Sequence, residues 1–153
     1  MNDVRAAATA FRQAIIECPD TGLISLEDFP NGSCGDASPL LGQFLQEQGH
    51  GEWVYISGCR KGDYHSHAWL EQDGWLLDIT ADQFPDVDEP VVLTQNRTWH
   101  SQFLHRPMKR LPARIDVWDE HTTENLTEAY GKIMAGVPTL KEPDHREDGQ
   151  TPA

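Results

Sequence analysis

Three short apolar runs follow one another between residues 53 and 79. They read WVYIS (53–57), HAWLE (67–71) and WLLDI (75–79). Aromatic and β-branched residues recur in them, and each has the length of a strand. Asp73-Gly74, between the second and third runs, favours a two-residue hairpin turn, and Gly58–Asp63 is a polar connection between the first and second. A two-residue turn at Asp73-Gly74 makes a hairpin of the second and third runs. From Gly35 the chain reads as a helix, with Leu40, Leu41, Phe44 and Leu45 as its buried stripe and Gly49 as its stop. Asp36 or Ser38 can cap it, which places Pro39 in the first turn.

The flanking segments fit around this unit. Residues 3–18 predict a helix capped by Asp3, with Val4, Ala7, Ala8, Phe11, Ala14, Ile15 and Cys18 on one face. Cys18 is therefore expected to be a buried, inert thiol. Pro19 closes that helix, and residues 19–33 form a loop that ends in the turn signal Asn31-Gly32. Val91–Thr94 predicts a fourth strand and Ile115–Trp118 a fifth. Residues 123–135 predict a last helix, capped by Thr122 or Thr123, with Leu126, Ala129, Tyr130 and Ile133 on its face. The basic segment 95–114, with Arg97, Lys109, Arg110 and Arg114, takes no assignment. These elements make one domain over 1–137, and the polar, Pro-rich stretch 138–153 reads as a disordered tail.

Charge and cysteine usage narrow the function classes. A net charge of −13 makes nucleic acid and anionic membranes poor partners, because the long-range Coulomb force is repulsive. No apolar run reaches the roughly 18 residues of a membrane-spanning helix. The polar N-terminus does not read as a signal peptide. Cys18, Cys34 and Cys59 are odd in number and form no CxxC pair, so the expected setting is a reducing cytoplasm.

Cys34 opens the helix, His67 begins the second strand and Asp78 lies in the third. A thiol attacks as its thiolate, and that anion is favoured by a helix N-terminus and by a nearby imidazolium. Gly32, Ser33 and Gly35 leave the sulfur accessible and would let the Cys34 backbone N–H face an oxyanion. His67 is the best base. Its tautomer needs a partner, expected on Nδ1, and Asp78 is placed to supply it. With Gln72 opposite Trp75 across the turn, Asp78 is the diagonal neighbour of His67 on the same face. Asp78 is also a lone carboxylate in an apolar strand, where an unpaired charge is costly.

The pattern Gly32-Ser33-Cys34, Ser57-Gly58, His67-Ala68-Trp69-Leu70-Glu71 and Trp75-Leu76-Leu77-Asp78-Ile79-Thr80 resembles the transglutaminase-like superfamily, a branch of the papain-like cysteine enzymes. The likeness covers about fifty residues. It implies an α+β papain-like core, with the nucleophile-bearing helix packed on an antiparallel sheet. It also implies thioester chemistry by a Cys34-His67-Asp78 triad on a peptide, a protein or a small amide, without a cofactor. The outcome would be hydrolysis as in a thiol protease or amidase, deamidation of protein glutamine, or transglutamination. Papain-like enzymes often carry a glutamine upstream of the nucleophile, and the loop before Cys34 has none. Asn31 and Gln83 are the available amides for an oxyanion, and Trp69 and His65 are further candidate contacts.

Other readings compete. Cys59, His65, His67, His100 and His105 are metal-ligating types, yet no tight Cys/His spacing unites them, so no metal site is expected. Cys59 sits in the polar loop GCRKGD and competes with Cys34 as the reactive thiol. A protein of another class, a peptide- or protein-binding module that keeps the fold without catalysis, would use the same cleft.

Overall fold

The computed structural model describes residues 1–138. Its helices are α1 (Asn2–Glu17), α2 (Cys34–Glu47), the single turn α3 (Thr98–Ser101) and α4 (Glu120–Met134). Its strands are β1 (Val54–Cys59), β2 (Ser66–Gln72), β3 (Trp75–Asp78), β4 (Val92–Thr94) and β5 (Arg106–Pro112). Short 3-10 turns occupy Ile24–Leu26, Ala81–Gln83 and Gln102–His105. The sheet order is β4-β3-β2-β1-β5, with every neighbouring pair antiparallel. The chain is therefore an α+β fold. The expected disordered tail lies outside the described residues, apart from Pro138.

Strand periodicity divides the interior in two. Tyr55, Ala68, Leu70 and Leu77 point to the face packed by the helices, within one core that includes Ala37, Leu40, Leu41, Phe44 and Leu45 of α2. Phe11 of α1 stacks on Phe44 with ring centroids 4.8 Å apart, and both rings are fully buried. Truncating Phe44 to alanine would cost about 3–5 kcal/mol. Ile56, Trp69 and Leu76 point to the other face, where Phe84 and Phe103 cover them. By the same alternation His67 and Asp78 belong to that second face.

The β2–β3 hairpin sets Gln72 opposite Trp75, as a two-residue turn requires. Asp73 and Gly74 both have positive φ, 48° and 84°, which matches the right-handed twist of the strands. Beyond β3, Arg12 of α1 anchors the chain. Its guanidinium donates to the Ile79 carbonyl at 2.5 Å and the Pro90 carbonyl at 2.9 Å, and it pairs with both carboxylate oxygens of Asp82.

Several local expectations are corrected. The helix α2 starts at Cys34 itself, so Asp36 and Ser38 lie inside it and Pro39 falls in the second turn. Ser33 precedes it, but the Ser33 hydroxyl donates to the Ser25 and Asn31 carbonyls instead of capping. No side chain caps α1. Asp119 caps α4, accepting from the Thr122 N–H at 2.8 Å, so the helix begins before both threonines. Cys18 is half-buried at the margin of the core. The fifth strand is Arg106–Pro112, and Ile115–Trp118 is a turn flanked by bends. A strand at a sheet edge needs no apolar alternation, and charge suits such an edge. That is why the basic segment carries no strand signal.

Candidate functional site

The acceptor positions of Asp78 are filled by hydrogen bonds. Its Oδ1 accepts from the Thr80 N–H at 2.9 Å and lies 3.4 Å from the Thr80 hydroxyl. Its Oδ2 lies 2.7 Å from Nε2 of His67 and 2.7 Å from Nε2 of His100. Relative exposures are 2% for Asp78, 1% for His67 and 3% for His100, so the cluster is excluded from water. A buried carboxylate without such partners would not hold its charge.

Opposing effects act on this group. Burial disfavours the charged forms of both His67 and Asp78. For His67, the Asp78 carboxylate outweighs burial, and with help from the Cys34 sulfur its pKa is raised to about 9. For Asp78, the charge of His67 and the hydrogen bonds from both imidazoles outweigh burial and hold the carboxyl well below the usual range. The pair is thus an imidazolium–carboxylate pair near neutral pH. An aromatic shell encloses it. The His67 ring lies against Phe84, Trp99 and Phe103 at centroid distances of 5.1, 5.8 and 5.2 Å.

Binding Asp78 through Nε2 leaves Nδ1 of His67 without a hydrogen-bond partner. The carboxylate was expected on Nδ1, so the ring is turned the other way. His67 lines a cleft of about 420 Å³ together with Cys34, Tyr55, Gln83, Lys109 and Trp118. Cys34 raises the His67 pKa from across this cleft, although the thiol falls short of a formed hydrogen bond to Nδ1. Cys34 is the first residue of α2, whose opening N–H groups have no side-chain cap. The helix packs on one face of the sheet and His67 belongs to the other. The two meet at the start of β2, where the sheet ends. Burial above all, and then the nearby Cys34 sulfur, push the Tyr55 hydroxyl up to about 12, so it remains a neutral donor at this cleft.

The secondary candidates separate. His65 and Gln83 line the cleft. Gln83 accepts from the Gly32 N–H at 3.3 Å and donates to the Thr80 carbonyl at 3.0 Å, so it spans from the loop before Cys34 to the second residue after β3. Asn31 does not line the cleft; its amide reaches back to Asp28 at 3.3 Å. Trp69 is fully buried behind His67, and its indole donates to Glu71 at 2.9 Å. Cys59 lies outside this set, its sulfur 3.5 Å from the Met108 sulfur. His100 is the member that sequence reasoning missed. It stands alone beside Trp99 on a one-turn helix, and no local pattern ties it to β3.

His67, Asp78 and His100 each offer one ligand atom, all within 4.8 Å of one another. Two imidazoles and a carboxylate are a donor set that suits a divalent transition metal. The two 2.7 Å contacts are hydrogen-bond lengths, and a tetrahedral ion at about 2.0–2.1 Å from each ligand would have to spread them. In comparison with known proteins, the chain matches no family model, no curated protein and no solved structure.

Proposed function

We propose that this protein is a cysteine-dependent acyl-transfer enzyme of transglutaminase-like, papain-like type, acting as a peptidase or amidase in the cytoplasm. One observation carries the reading. A buried carboxylate holds Nε2 of His67 and leaves Nδ1 unpartnered beside a cleft that also contains the helix-opening Cys34.

In this reading the Cys34 thiolate attacks the acyl carbon of an amide. The tetrahedral oxyanion is stabilised by donors at the start of α2. As the C–N bond breaks, the His67 imidazolium gives its Nδ1 proton to the leaving amine. Water then adds to the thioester, passing a proton to His67, and the C–S bond breaks to release the acid. Asp78 orients the ring and stabilises its cation throughout. A glutamine side chain as acyl donor would make the enzyme a deamidase, and an amine in place of water would make it a transglutaminase.

The test is alkylation by iodoacetamide. Cys34 should react faster than Cys18 or Cys59, with a rate that depends on pH, and His67→Ala should slow it roughly tenfold or more. Incubation with amide substrates should give a mass increment on Cys34, absent in Cys34→Ala. If Cys34 reacts like an ordinary thiol, or not at all, while Cys59 reacts, the protein is a binding module on the same fold. A second reading is favoured by the donor set of His67, Asp78 and His100, which would hold a divalent cation. Stoichiometric metal in the purified protein, lost in His100→Ala, would replace the triad with a metal centre.

A further inference from the structure

The two edges of the sheet are treated differently. At the β4 edge, Arg5 of α1 donates to the Val91 carbonyl at 3.1 Å and the Leu93 carbonyl at 3.2 Å, so an added strand has no free ladder there. At the β5 edge no comparable cap exists among the described residues, and every β5 residue but the half-buried Leu111 is exposed. An open edge is a template for another extended chain.

That edge is also the cationic part of a strongly acidic chain. Arg106, Lys109 and Arg110 form no ion pair among the described residues, although the net charge is −13. Cross-strand pairing sets Lys109 opposite Ser57 and Arg106 opposite Cys59, on the face of β1 that also carries Tyr55. Met108, 53% exposed, falls at the irregularity in the β1–β5 register, and it and Lys109 both line the cleft with Cys34 and His67. The open edge therefore runs into the thiol cleft.

We propose that β5 is a docking strand for an extended, acidic peptide, which it guides to Cys34 with alternate carboxylates on Arg106 and Lys109 and an apolar residue on Met108, while Arg110, opposite Ile56 on the other face, adds only to the positive field of the edge. This rests on the acyl-transfer reading for what happens at Cys34, but not for the binding itself. It makes acidic peptide segments the substrate class.

The test uses the full chain with Cys34→Ala, so that bound peptide is not consumed. The probe is fluorescein-labelled Glu-Val-Glu-Thr-Glu-Val-Glu, compared with the same peptide carrying Gln or Lys for Glu, and read by fluorescence anisotropy. The Glu peptide should bind about tenfold tighter than the Gln peptide and weaken between about 50 and 300 mM salt. Arg106→Glu/Lys109→Glu/Arg110→Glu should reverse the preference toward the Lys peptide, with circular dichroism confirming that the variant is folded. Equal affinity for the Glu and Gln peptides overturns the proposal, as does a reversed-charge variant that binds the Glu peptide unchanged. The salt dependence is measured on the parent surface and needs no surface variant, and an affinity for the Glu peptide that salt leaves unchanged also overturns the proposal. Iodoacetamide alkylation of the Cys34-containing protein is scored separately. Acidic-peptide binding without an activated Cys34 overturns the enzyme and keeps the docking strand, whereas an activated Cys34 without acidic preference does the reverse.

Discussion

His67 and His100 meet at one oxygen. Each places Nε2 2.7 Å from Oδ2 of Asp78, one from the start of β2 and the other from α3, more than thirty residues apart in the chain. The carboxylate is thus a junction between the hairpin that carries His67 and the segment that follows β4. Its second imidazole also holds the aromatic shell in place, since the His100 ring lies 4.8 Å from Trp99 and 4.9 Å from Trp69.

Removing His100 should therefore loosen the fold as well as the site. His100→Ala deletes a buried hydrogen bond to a charged acceptor and opens a void, for an expected loss of about 2–4 kcal/mol. Urea unfolding measures it. His100→Gln keeps an N–H donor and should lose less. A loss under about 0.5 kcal/mol for the alanine variant would be the size of an ordinary surface change and would refute a structural role for the shared oxygen.

Stability should follow the His67–Asp78 pair in pH. The folded pKa of His67 is raised to about 9, above an ordinary value near 6.5, so its contribution is complete below pH ~6.5 and is lost as pH rises through 9. The folded pKa of Asp78 is depressed, so its contribution is complete above pH ~4 and is lost as pH falls toward the folded value. The pair therefore favours folding most between about pH 4 and 6.5. Urea midpoints should decline from pH 6 to 9.5 as His67 loses its proton. His67→Gln should flatten that decline, and an equally steep slope in the variant would assign it to other groups.

Gly58 has a role that its sequence neighbours do not announce. It sits opposite His67 in the β1–β2 ladder, and a Cβ built on it would collide with the Phe103 carbonyl oxygen and lie 3.0 Å from that of Arg106. Both obstacles are backbone, so neither can swing away. Gly58→Ala should cost about 1–3 kcal/mol by overpacking. It should also disturb His67, because the displaced Phe103 packs on the imidazole. Thermal unfolding and iodoacetamide kinetics on the same variant would register both effects, and an unchanged melting temperature would contradict the close approach.

The parts of the site that sequence made legible are those with local causes. The hairpin turn at Asp73-Gly74 fixed the register, and the register fixed Asp78 as the diagonal neighbour of His67. Turn residues at Gly32 and an apolar stripe located α2, with its start placed at Gly35 or later instead of at Cys34. What stayed hidden depends on contacts between distant segments. His100 reaches Asp78 from a one-turn helix with no periodicity of its own. The fifth strand carries charge where a buried strand would carry alternation. The orientation of the His67 ring is set by which nitrogen finds the carboxylate, and no residue pattern encodes that choice.

Gln83 offers the sharpest separation of roles at the cleft. Its Oε1 accepts from the Gly32 N–H and its Nε2 donates to the Thr80 carbonyl, so one side chain fastens the loop before Cys34 to the residue two beyond Asp78. One amide hydrogen remains to face the cleft. Both bonds are at the protein surface or only partly buried, so Gln83→Ala should cost no more than about 1 kcal/mol in urea unfolding. Its effect on Cys34 should be larger in proportion, because a freed loop no longer holds the sulfur beside His67. Alkylation by iodoacetamide, which forms no oxyanion, should slow several-fold. Gln83→Glu keeps the acceptor toward Gly32 and should retain more of the rate than Gln83→Ala. Should alkylation proceed at the parent rate in both variants while amide turnover falls, Gln83 is an oxyanion donor and the fastening role is wrong.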